Sequence, residues 1–168
     1  MELQAHPNCH NRSGISAGLL FALVILIYSN TFHASWHLDD YQNITHNPRI
    51  QINELSIASL KQSMVAPHGN TVTRPLARIS LALNWYAGGN HPVGYHMANI
   101  LIHFLASLFL YLTVLTLFQT PRLRSASGDE AHFVALLAAV LWAAHPIQTQ
   151  AVTYIVQRMA SMAAMFYI

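Results

Sequence analysis

The stretch ISAGLLFALVILIYSNTF, residues 15–32, decides the class of this protein because it is apolar along most of its length and carries no charge. At roughly 1.5 Å per residue, a helix of about 18 residues crosses most of the hydrocarbon core of a bilayer. A cleaved signal peptide is the alternative, but the apolar run is long for one and no small-residue cleavage site precedes Trp36. The sequence therefore predicts a first membrane span over residues 15–32.

Composition extends this prediction to the whole chain. Apolar residues make up 54% of the sequence and charged residues 8%, whereas an ordinary soluble domain is about 25% charged. The formal net charge of +2 is small and scattered, which argues against nucleic acid as a partner. Cys9 is the single cysteine, which excludes an internal disulfide, and the 11 histidines contain no H-E-x-x-H zinc motif. We therefore predict an all-α integral membrane protein.

Three further apolar segments predict more spans, over residues 93–118, 131–144 and 152–168. His145-Pro146 separates the last two, because the residue before a proline disfavours the helical conformation. Beyond Arg158 only ten residues remain, about 15 Å of helix and half a bilayer. The sequence therefore predicts a polytopic membrane domain with four apolar segments, the last of them incomplete, as in a truncated chain.

The connection over residues 33–92 is polar and contains two patterns typical of short amphipathic helices. The first starts at Asn53, a good N-cap residue, and has apolar side chains at helical spacing: Ile57, Leu60 and Met64. The second starts at Thr73-Arg74-Pro75, ends at Gly88-Gly89, and places on one side Leu76, Ile79, Leu83 and Tyr86. Such helices usually lie along the membrane surface; packing on a partner helix is the alternative.

The arginines near the span ends predict the orientation. Arg12 precedes the first span, and Arg122 and Arg124 lie in the short loop after the second. By the positive-inside rule these ends face the cytoplasm, whereas the basic residues of the long connection count little. The connection over residues 33–92 is therefore predicted to lie on the periplasmic or lumenal side.

Asp39 and Asp40 are the first candidates for chemistry, in the run WHLDDY just beyond the first span. Carboxylates beside a membrane are costly to desolvate. One of them could act as a general base, or the pair could bind a divalent cation such as Mg or Mn. Neighbouring residues do not easily point at one atom, so we expect one carboxylate to act and the other to orient. A solvated turn is the alternative.

A polar stripe follows one face of the predicted second span: His96, Asn99, His103 and Ser107. These side chains either line a substrate cavity or hold helices together. Arg74 could make a bidentate contact with a phosphate, and Arg158 is a second candidate for this role; a headgroup anchor and a snorkelling side chain are the alternatives. His145 could line the same outer cavity or simply lie in a loop.

These motifs occur in an order that resembles one known family. They are WHLDD at residues 36–40, NITHNP at 43–48, RPL at 74–76, Asn84, GYH at 94–96, Asn99, His103, HPI at 145–147 and Arg158. Their order and spacing resemble the N-terminal membrane part of the transmembrane O-mannosyltransferases with tetratricopeptide repeats and their bacterial relatives. These enzymes belong to the GT-C class of polytopic glycosyltransferases, and the resemblance covers nearly the whole chain from about residue 20.

The resemblance implies a reaction and roles for these residues. GT-C enzymes use a polyprenyl-phosphate-linked sugar on the lumenal face of the endoplasmic reticulum or the periplasmic face of the bacterial inner membrane. The acceptor in this branch is a protein serine or threonine hydroxyl, and an acidic residue in the first external loop is essential, here Asp39 or Asp40. The remaining roles are hypotheses from position: Arg74 and Arg158 would hold the phosphate. The pocket would be lined by His96, Asn99, His103 and His145.

The chain departs from the family pattern in two respects. Gln148 and Gln150 stand where the family often has histidine and glutamate, which weakens the case for a second catalytic carboxylate in this loop. The further spans and the repeats that the family carries lie outside this sequence. From the residues alone two other functions stay open: a transporter or channel component with a path lined by the polar stripe, or a membrane anchor without catalytic activity.

Overall fold

The computed structural model describes residues 7–123 and 127–168, and throughout these residues the regular structure is helical. The extended pairing in this part of the chain is an isolated bridge from Val65 to Val72. The all-α class expected from composition is therefore confirmed. Arg124, one of the arginines used to predict orientation, lies outside the described residues.

Seven α-helices are present in the described part of the chain. They are α1 (Pro7–Tyr28), α2 (Ile57–Ser63), α3 (Pro75–Gly88), α4 (Pro92–Leu117), α5 (Gly128–Ala143), α6 (Gln148–Thr153) and α7 (Arg158–Tyr167). A 3-10 helix follows α1 at Ser29–His33, a π-type turn covers Tyr41–Thr45, and a second 3-10 helix at Ile155–Gln157 joins α6 to α7.

Two helical segments are long and apolar enough to cross a membrane. They cover Arg12–His33, with 22 residues, and Pro92–Leu117, with 26, and they coincide with the spans predicted over residues 15–32 and 93–118. The 16 residues of α5 extend about 24 Å, less than the roughly 30 Å of a hydrocarbon core. Length and composition therefore support two spans, and a larger polytopic arrangement stays a prediction.

Helix α4 is the centre of the packing and contacts α1, α5 and α7. Helix α5 approaches it closely because its buried positions are alanines at every fourth residue: Ala131, Ala135, Ala139 and Ala143. Small side chains on one face let helix backbones come together and improve van der Waals packing in a membrane setting. A capping box between Ser127 and Glu130 stabilises the first turn of α5.

An ion pair joins Arg12 in α1 to Asp129 at the start of α5. The Arg12 end of α1 and the loop that leads from α4 to α5 therefore lie at the same end of the helix bundle. This placement agrees with the predicted topology, in which both belong to one side of the membrane. The identity of that side stays a prediction from the positive-inside rule.

Both amphipathic helices predicted in the connection between α1 and α4 are present. The N-cap predicted for the first was wrong, because α2 is capped by Ser56, whose hydroxyl accepts the Ser59 N–H, and not by Asn53. A capping side chain must stand directly before the first helical turn to reach its N–H groups. Helix α3 starts at Pro75 and ends at Gly88-Gly89 as predicted, with Gly89 at a φ of 56°.

Helix α3 buries one face and exposes the other. Its buried positions pack on the protein: Ala77, Arg78, Leu81 and Ala82. Most of the apolar face predicted from periodicity is exposed instead, including Leu76, Leu83 and Tyr86. An exposed apolar face on a helix that connects two spans is the arrangement expected of a helix lying on a membrane surface.

The segment predicted as a fourth span, residues 152–168, is not one continuous helix. Helix α6 ends at Thr153, Tyr154 takes an extended conformation, and α7 begins at Arg158 after the second 3-10 helix. We call residues 154–157 the break. Periodicity and composition did not indicate it, because it is hydrogen-bonded to a side chain of α4 that is distant in sequence.

Candidate active-site pocket

A pocket of about 320 Å³ opens where three distant parts of the chain meet. They are the turn after the first 3-10 helix, the start of α3, and the break together with the first turn of α7. The pocket is lined by Asp39, Asn43, Thr73, Arg74, Arg78, Val156, Gln157 and Met159. Two candidates from the sequence, Asp39 and Arg74, are therefore brought together.

Asp39 and Asp40 have opposite surroundings although they are neighbours in sequence. Asp40 is 1% exposed; its Oδ1 accepts the Val156 N–H at 2.8 Å and its Oδ2 accepts the His37 N–H at 3.1 Å. Asp39 is exposed and lines the pocket. Asp40 thus ties the turn to the break, and Asp39 is the carboxylate that a ligand in the pocket can reach.

Burial raises the pKa of Asp40 above its ordinary value, since a charged carboxylate loses solvation there. The hydrogen bonds from the His37 and Val156 N–H groups oppose this effect because they favour the charged form, and the charge of Asp39 raises the pKa slightly further. With both oxygens bound by backbone groups, Asp40 is suited to holding local geometry. It is poorly placed to take a proton from a substrate.

Two non-glycine residues of the described chain have left-handed backbone conformations, and both adjoin the pocket. Leu38 has a φ of 31° and Arg74 a φ of 49°. Such conformations cost on the order of 1–3 kcal/mol each and cluster at functional sites. For Arg74 the conformation is the more unusual because Pro75 restricts the residue before it to extended backbone. The conformation of Leu38 sets the direction of the next residue, Asp39, and the conformation of Arg74 sets the direction of its own side chain. Both strained positions therefore orient a side chain of the pocket.

Two arginines of the α3 region make the pocket cationic. Arg74 is exposed and donates from Nη1 to the Met159 Sδ at 3.1 Å. Arg78 is one helical turn further on and is 4% exposed. It donates from Nε to the Thr73 Oγ1 and from Nη1 to the Val65 carbonyl, both at 3.3 Å. Each guanidinium carries five N–H donors, so both retain donors for a ligand.

Among the residues that the structure describes, the guanidinium groups of these arginines are not engaged in direct ion pairs. In the described part of the chain, neither Arg74 nor Arg78 forms an ion pair with a carboxylate. Burial lowers the pKa of Arg78, and the positive charges of Arg74 and Arg49 lower it further. Guanidinium groups held together against mutual repulsion form a good site for an anion, above all for a phosphate, whose oxygens match their geometry.

Asn99 of α4 is hydrogen-bonded to the backbone at the break. Its Nδ2 donates to the carbonyls of Val152, Tyr154 and Ile155, at 3.2, 3.4 and 3.4 Å. Buried carbonyls need a donor, and in a continuous helix that donor is a backbone N–H four residues later. The Tyr154 and Ile155 carbonyls also accept the Gln157 and Arg158 N–H groups of the 3-10 helix, and the Asn99 amide adds a donor to all three carbonyls beside the point where Val156 and Gln157 reach the pocket.

Arg158 does not reach the pocket, contrary to its predicted role as a phosphate ligand. It is 0% exposed. Its Nε donates to the Asn99 Oδ1 at 2.7 Å, its Nη1 to the Ser80 Oγ at 3.2 Å and its Nη2 to the Tyr95 carbonyl at 3.0 Å. The guanidinium also lies 5.8 Å from the centroid of the Tyr95 ring. Because it is enclosed and hydrogen-bonded on all sides, Arg158 joins α7 to α3 and α4.

The other members of the polar stripe also contact protein backbone and not the pocket. The Nε2 of His96 lies 3.3 Å from the Ala34 carbonyl, and the Nε2 of His103 lies 3.1 Å from the Ala143 carbonyl. Ser107 donates to the His103 carbonyl at 2.8 Å. All three side chains are buried. The two histidines contact other segments, as the helix-holding alternative expects, whereas Ser107 bonds within α4.

His145 was expected to line the outer cavity and lies elsewhere. It is exposed in the turn before α6, where its Nδ1 accepts the Ile147 N–H at 3.2 Å. It is not among the residues that line the pocket. His145 therefore lies in a loop, the second of the two positions considered from the sequence.

The pocket suits an anion better than a metal ion. Asp39 supplies one carboxylate, both oxygens of Asp40 are bound by backbone N–H groups, and two guanidinium groups face the same space. Among the described residues no group of three histidine, cysteine or acidic side chains could hold a metal. Magnesium is usually held by one or two carboxylates together with waters and substrate phosphates, so the cation considered from the Asp39-Asp40 pair stays a prediction.

The helices and this pocket define a helical domain with two candidate membrane spans and a site that combines one carboxylate with two arginines. Its sequence relates it to protein O-mannosyl-transferases. It is 32% identical to protein O-mannosyl-transferase Tmtc1 of Drosophila melanogaster over 82% of this chain and 15% of the relative. It is 29% identical to TMTC4 of Mus musculus over 86% of this chain and 20% of the relative, and 30% identical to tmtc2 of Xenopus laevis over 88% and 17%.

These relationships confirm the resemblance to the transmembrane O-mannosyltransferases that the motifs indicated. The chain spans a fifth or less of the length of these curated relatives, 15–20%. No family model matches the chain, and no solved structure matches it significantly.

Arg78 is the charged pocket residue that sequence reasoning missed. A signal for it was present, because it follows Arg74 by four residues and so lies on the same side of α3. Gln157 and Met159 had no comparable signal. Their positions depend on the break, whose carbonyls accept hydrogen bonds from the distant Asn99.

Proposed function

We propose that this chain forms the catalytic pocket of a glycosyltransferase that moves a mannose-like sugar from a polyprenyl-phosphate donor to a hydroxyl of a protein acceptor. The observation that carries the proposal is the meeting of Asp39 with Arg74 and Arg78 in one pocket. The names of the related proteins support a transferase and a protein acceptor. The lipid-linked donor is proposed because the pocket offers phosphate ligands.

Asp39 is the proposed general base. Its backbone is engaged on both sides, because its N–H donates to the Tyr154 hydroxyl and its carbonyl accepts from the Asn43 Nδ2. The turn is therefore held while the carboxylate is exposed to the pocket. A carboxylate within hydrogen-bond reach of an acceptor hydroxyl takes the proton as the hydroxyl oxygen attacks.

Arg74 and Arg78 are the proposed ligands of the donor phosphate. Arg78 is oriented in advance by Thr73 and the Val65 carbonyl, whereas Arg74 is exposed and can adjust to the ligand. Preorganised cations are most useful where negative charge develops during the reaction. Here that charge appears on the phosphate oxygen as the sugar leaves it.

The proposed reaction is a single displacement at the anomeric carbon of the sugar. The acceptor oxygen forms a bond to this carbon while the bond from the carbon to the phosphate oxygen breaks, so the anomeric centre is inverted. The proton of the acceptor hydroxyl passes to Asp39. The polyprenyl phosphate departs with the bonding electron pair and is stabilised by Arg74 and Arg78.

The pocket is proposed to work at the lumenal or periplasmic surface of the endoplasmic reticulum or bacterial inner membrane. Support comes from α3, which begins directly after Arg74 and contains Arg78. The same helix exposes the apolar side chains of Leu76 and Leu83. A helix that rests on the bilayer with such a face lies near headgroup depth. Its arginines would then stand where the phosphate of a lipid-linked donor is found.

The two competing functions receive less support. A transport path along the stripe would require side chains that face an open channel, but His96, Asn99 and His103 are buried and contact backbone carbonyls. A membrane anchor without activity offers no reason for two strained residues beside a cationic pocket.

The proposal is tested by sugar transfer in the intact protein that contains this sequence, with mannosyl-phosphoryl-polyprenol as donor and a serine- and threonine-containing peptide as acceptor. Asp39→Asn keeps the shape of the side chain but cannot take a proton. We expect it to lower kcat by about 10²–10⁴-fold while donor binding persists. Asp40→Asn is the matched change one residue away and should lower kcat by about tenfold or less. Wild-type turnover in Asp39→Asn would overturn the proposal.

A further inference from the structure

Tyr154 lies outside the pocket but contacts the backbone of the proposed base. Its hydroxyl accepts the Asp39 N–H at 3.2 Å, across 115 positions of sequence. The ring is half-buried and lies edge-on to the His37 ring, with 6.2 Å between the centroids. The reaction proposed above makes no chemical use of this hydroxyl, so its contact with Asp39 calls for another role.

The turn that carries Asp39 needs external support because of the strained residue before it. Leu38 has a φ of 31°. Within the turn, the Asp40 and Tyr41 N–H groups donate to the His37 and Leu38 carbonyls, whereas the Asp39 N–H donates to Tyr154. A strained conformation persists only where the surroundings determine it strongly. Loss of the Tyr154 contact would therefore let the Asp39 side chain change its direction.

Asn99 is hydrogen-bonded to the break, the segment that contains Tyr154. Tyr154 is extended, at φ −85° and ψ 115°, and its carbonyl accepts from the Asn99 Nδ2 at 3.4 Å. Two residues further on, the Val156 N–H donates to the Asp40 Oδ1. The break thus contacts the turn twice, through Tyr154 to Asp39 and through Val156 to Asp40. The side-chain amide of Asn99 holds the break between these contacts and α4.

We propose that Tyr154 is a positioning residue for Asp39, and that Asn99 supports it by holding the break that carries Tyr154. The inference rests on the proposed function of Asp39 as the base. A base displaced by about 1 Å can slow the chemical step about 10²-fold. Donor binding depends on Arg74 and Arg78 and is not affected.

Tyr154→Phe removes the hydroxyl and keeps the ring. In the intact protein we expect kcat for sugar transfer to fall about 10-fold to 10²-fold, while KM for the mannosyl-phosphoryl-polyprenol donor stays within about twofold. The midpoint of the acidic limb of the pH–kcat profile stays in place, because no charge near Asp39 has changed.

Tyr28→Phe is the matched control for this variant. Its hydroxyl donates to the Ala143 carbonyl at 3.1 Å, between α1 and α5, and that carbonyl keeps its contact with His103. Tyr28→Phe therefore removes an equivalent hydroxyl from the bundle without touching the turn of Asp39. We expect its kcat and KM to match those of the wild type.

Asn99→Asp tests the support of the break. The variant keeps an oxygen to accept from Arg158 but loses the donor to the Val152, Tyr154 and Ile155 carbonyls. We expect kcat to fall again with little change in donor KM. Combined with Tyr154→Phe it should lower kcat by less than the product of the two separate effects, because both changes act through one segment.

The outcomes separate this inference from the proposed function. A wild-type kcat in Tyr154→Phe overturns the positioning role. An equal loss of kcat in Tyr28→Phe overturns it too. If Asn99→Asp does not fold, the comparison of Tyr154→Phe with Tyr28→Phe tests the positioning role alone. Inactive Asp39→Asn beside fully active Tyr154→Phe removes the positioning role alone. A fully active Asp39→Asn removes the proposed function as well.

Discussion

The pocket and the polar stripe of α4 use the same kinds of side chain in opposite ways. In the pocket, Arg74 and Asp39 are exposed and keep most of their polar atoms for a ligand. In the core, Arg158 is fully buried and its guanidinium is bound by Asn99, Ser80 and the Tyr95 carbonyl. The role of a polar residue here follows from what its polar atoms already contact. Groups with occupied atoms build the scaffold, and groups with unused donors or acceptors are available for binding.

The core side of this comparison predicts the largest effect on stability. Arg158→Ala should lower the free energy of unfolding by on the order of 3 kcal/mol, because the buried Asn99 Oδ1 loses its donor, at about 1–3 kcal/mol, and the lost side chain leaves a cavity. Thermal unfolding of the purified protein in detergent measures this change. Arg158→Met restores part of the lost volume and should fall between Arg158→Ala and the wild type. A stable Arg158→Ala would contradict the scaffold role.

The pocket side predicts a loss of catalysis without a loss of stability. Arg74→Ala should lower kcat/KM for the polyprenyl-phosphate donor by about 10–100-fold, the value of a hydrogen bond to a charged group, and should change unfolding by no more than about 0.5 kcal/mol. Arg74→Lys should recover little, since an ammonium cannot make the bidentate contact.

Arg122→Ala serves as the control for Arg74→Ala because Arg122 is an exposed arginine in the loop after α4 and lies outside the pocket. We expect wild-type kcat/KM for it. Equal losses in the two variants would show that general surface charge, and not a phosphate site, is responsible.

The smallest expected effect concerns Asp40 and pH. Its pKa in the folded protein is raised above 3.8 by burial, so the unfolded chain releases this proton more readily. The contribution of Asp40 to stability is therefore highest below pH 3.8 and declines as the pH rises through the raised value. Asp40→Asn removes this dependence. The Tm of the wild type minus that of Asp40→Asn should fall as the pH rises from 3.8 through the raised pKa. A difference that rises instead would mean that the hydrogen bonds lower the pKa of Asp40 more than burial raises it.

Periodicity predicted those elements whose stability depends on local pattern. The apolar runs of α1 and α4 and the start and end of α3 are present where expected, because hydrophobic spacing and the Pro75 and Gly89 signals act within a few residues. The polar stripe was also visible, since positions three and four apart share a helix face. Its two possible roles could not be separated from spacing, because spacing does not show which backbone carbonyls lie opposite.

The choice between Asp39 and Asp40 shows where local reasoning ends. The two residues have the same chemistry and adjacent positions, and the sequence provided no basis for ranking them. Asp40 turns inward, where the Val156 N–H lies 2.8 Å from its Oδ1, and the residues just before Val156 are hydrogen-bonded to Asn99. A contact across 116 positions cannot be inferred from one sequence.

By itself the sequence determined a helical protein with two candidate membrane spans, the connection that carries the acidic pair, and the family to which its motifs point. Each of these follows from composition or from residues close together along the chain. Only the tertiary structure decided that Asp39 and not Asp40 faces a pocket, that Arg78 joins Arg74 there, and that Arg158 is enclosed. These outcomes depend on where α3, α4 and the break meet, and that arrangement is set by buried hydrogen bonds between distant residues.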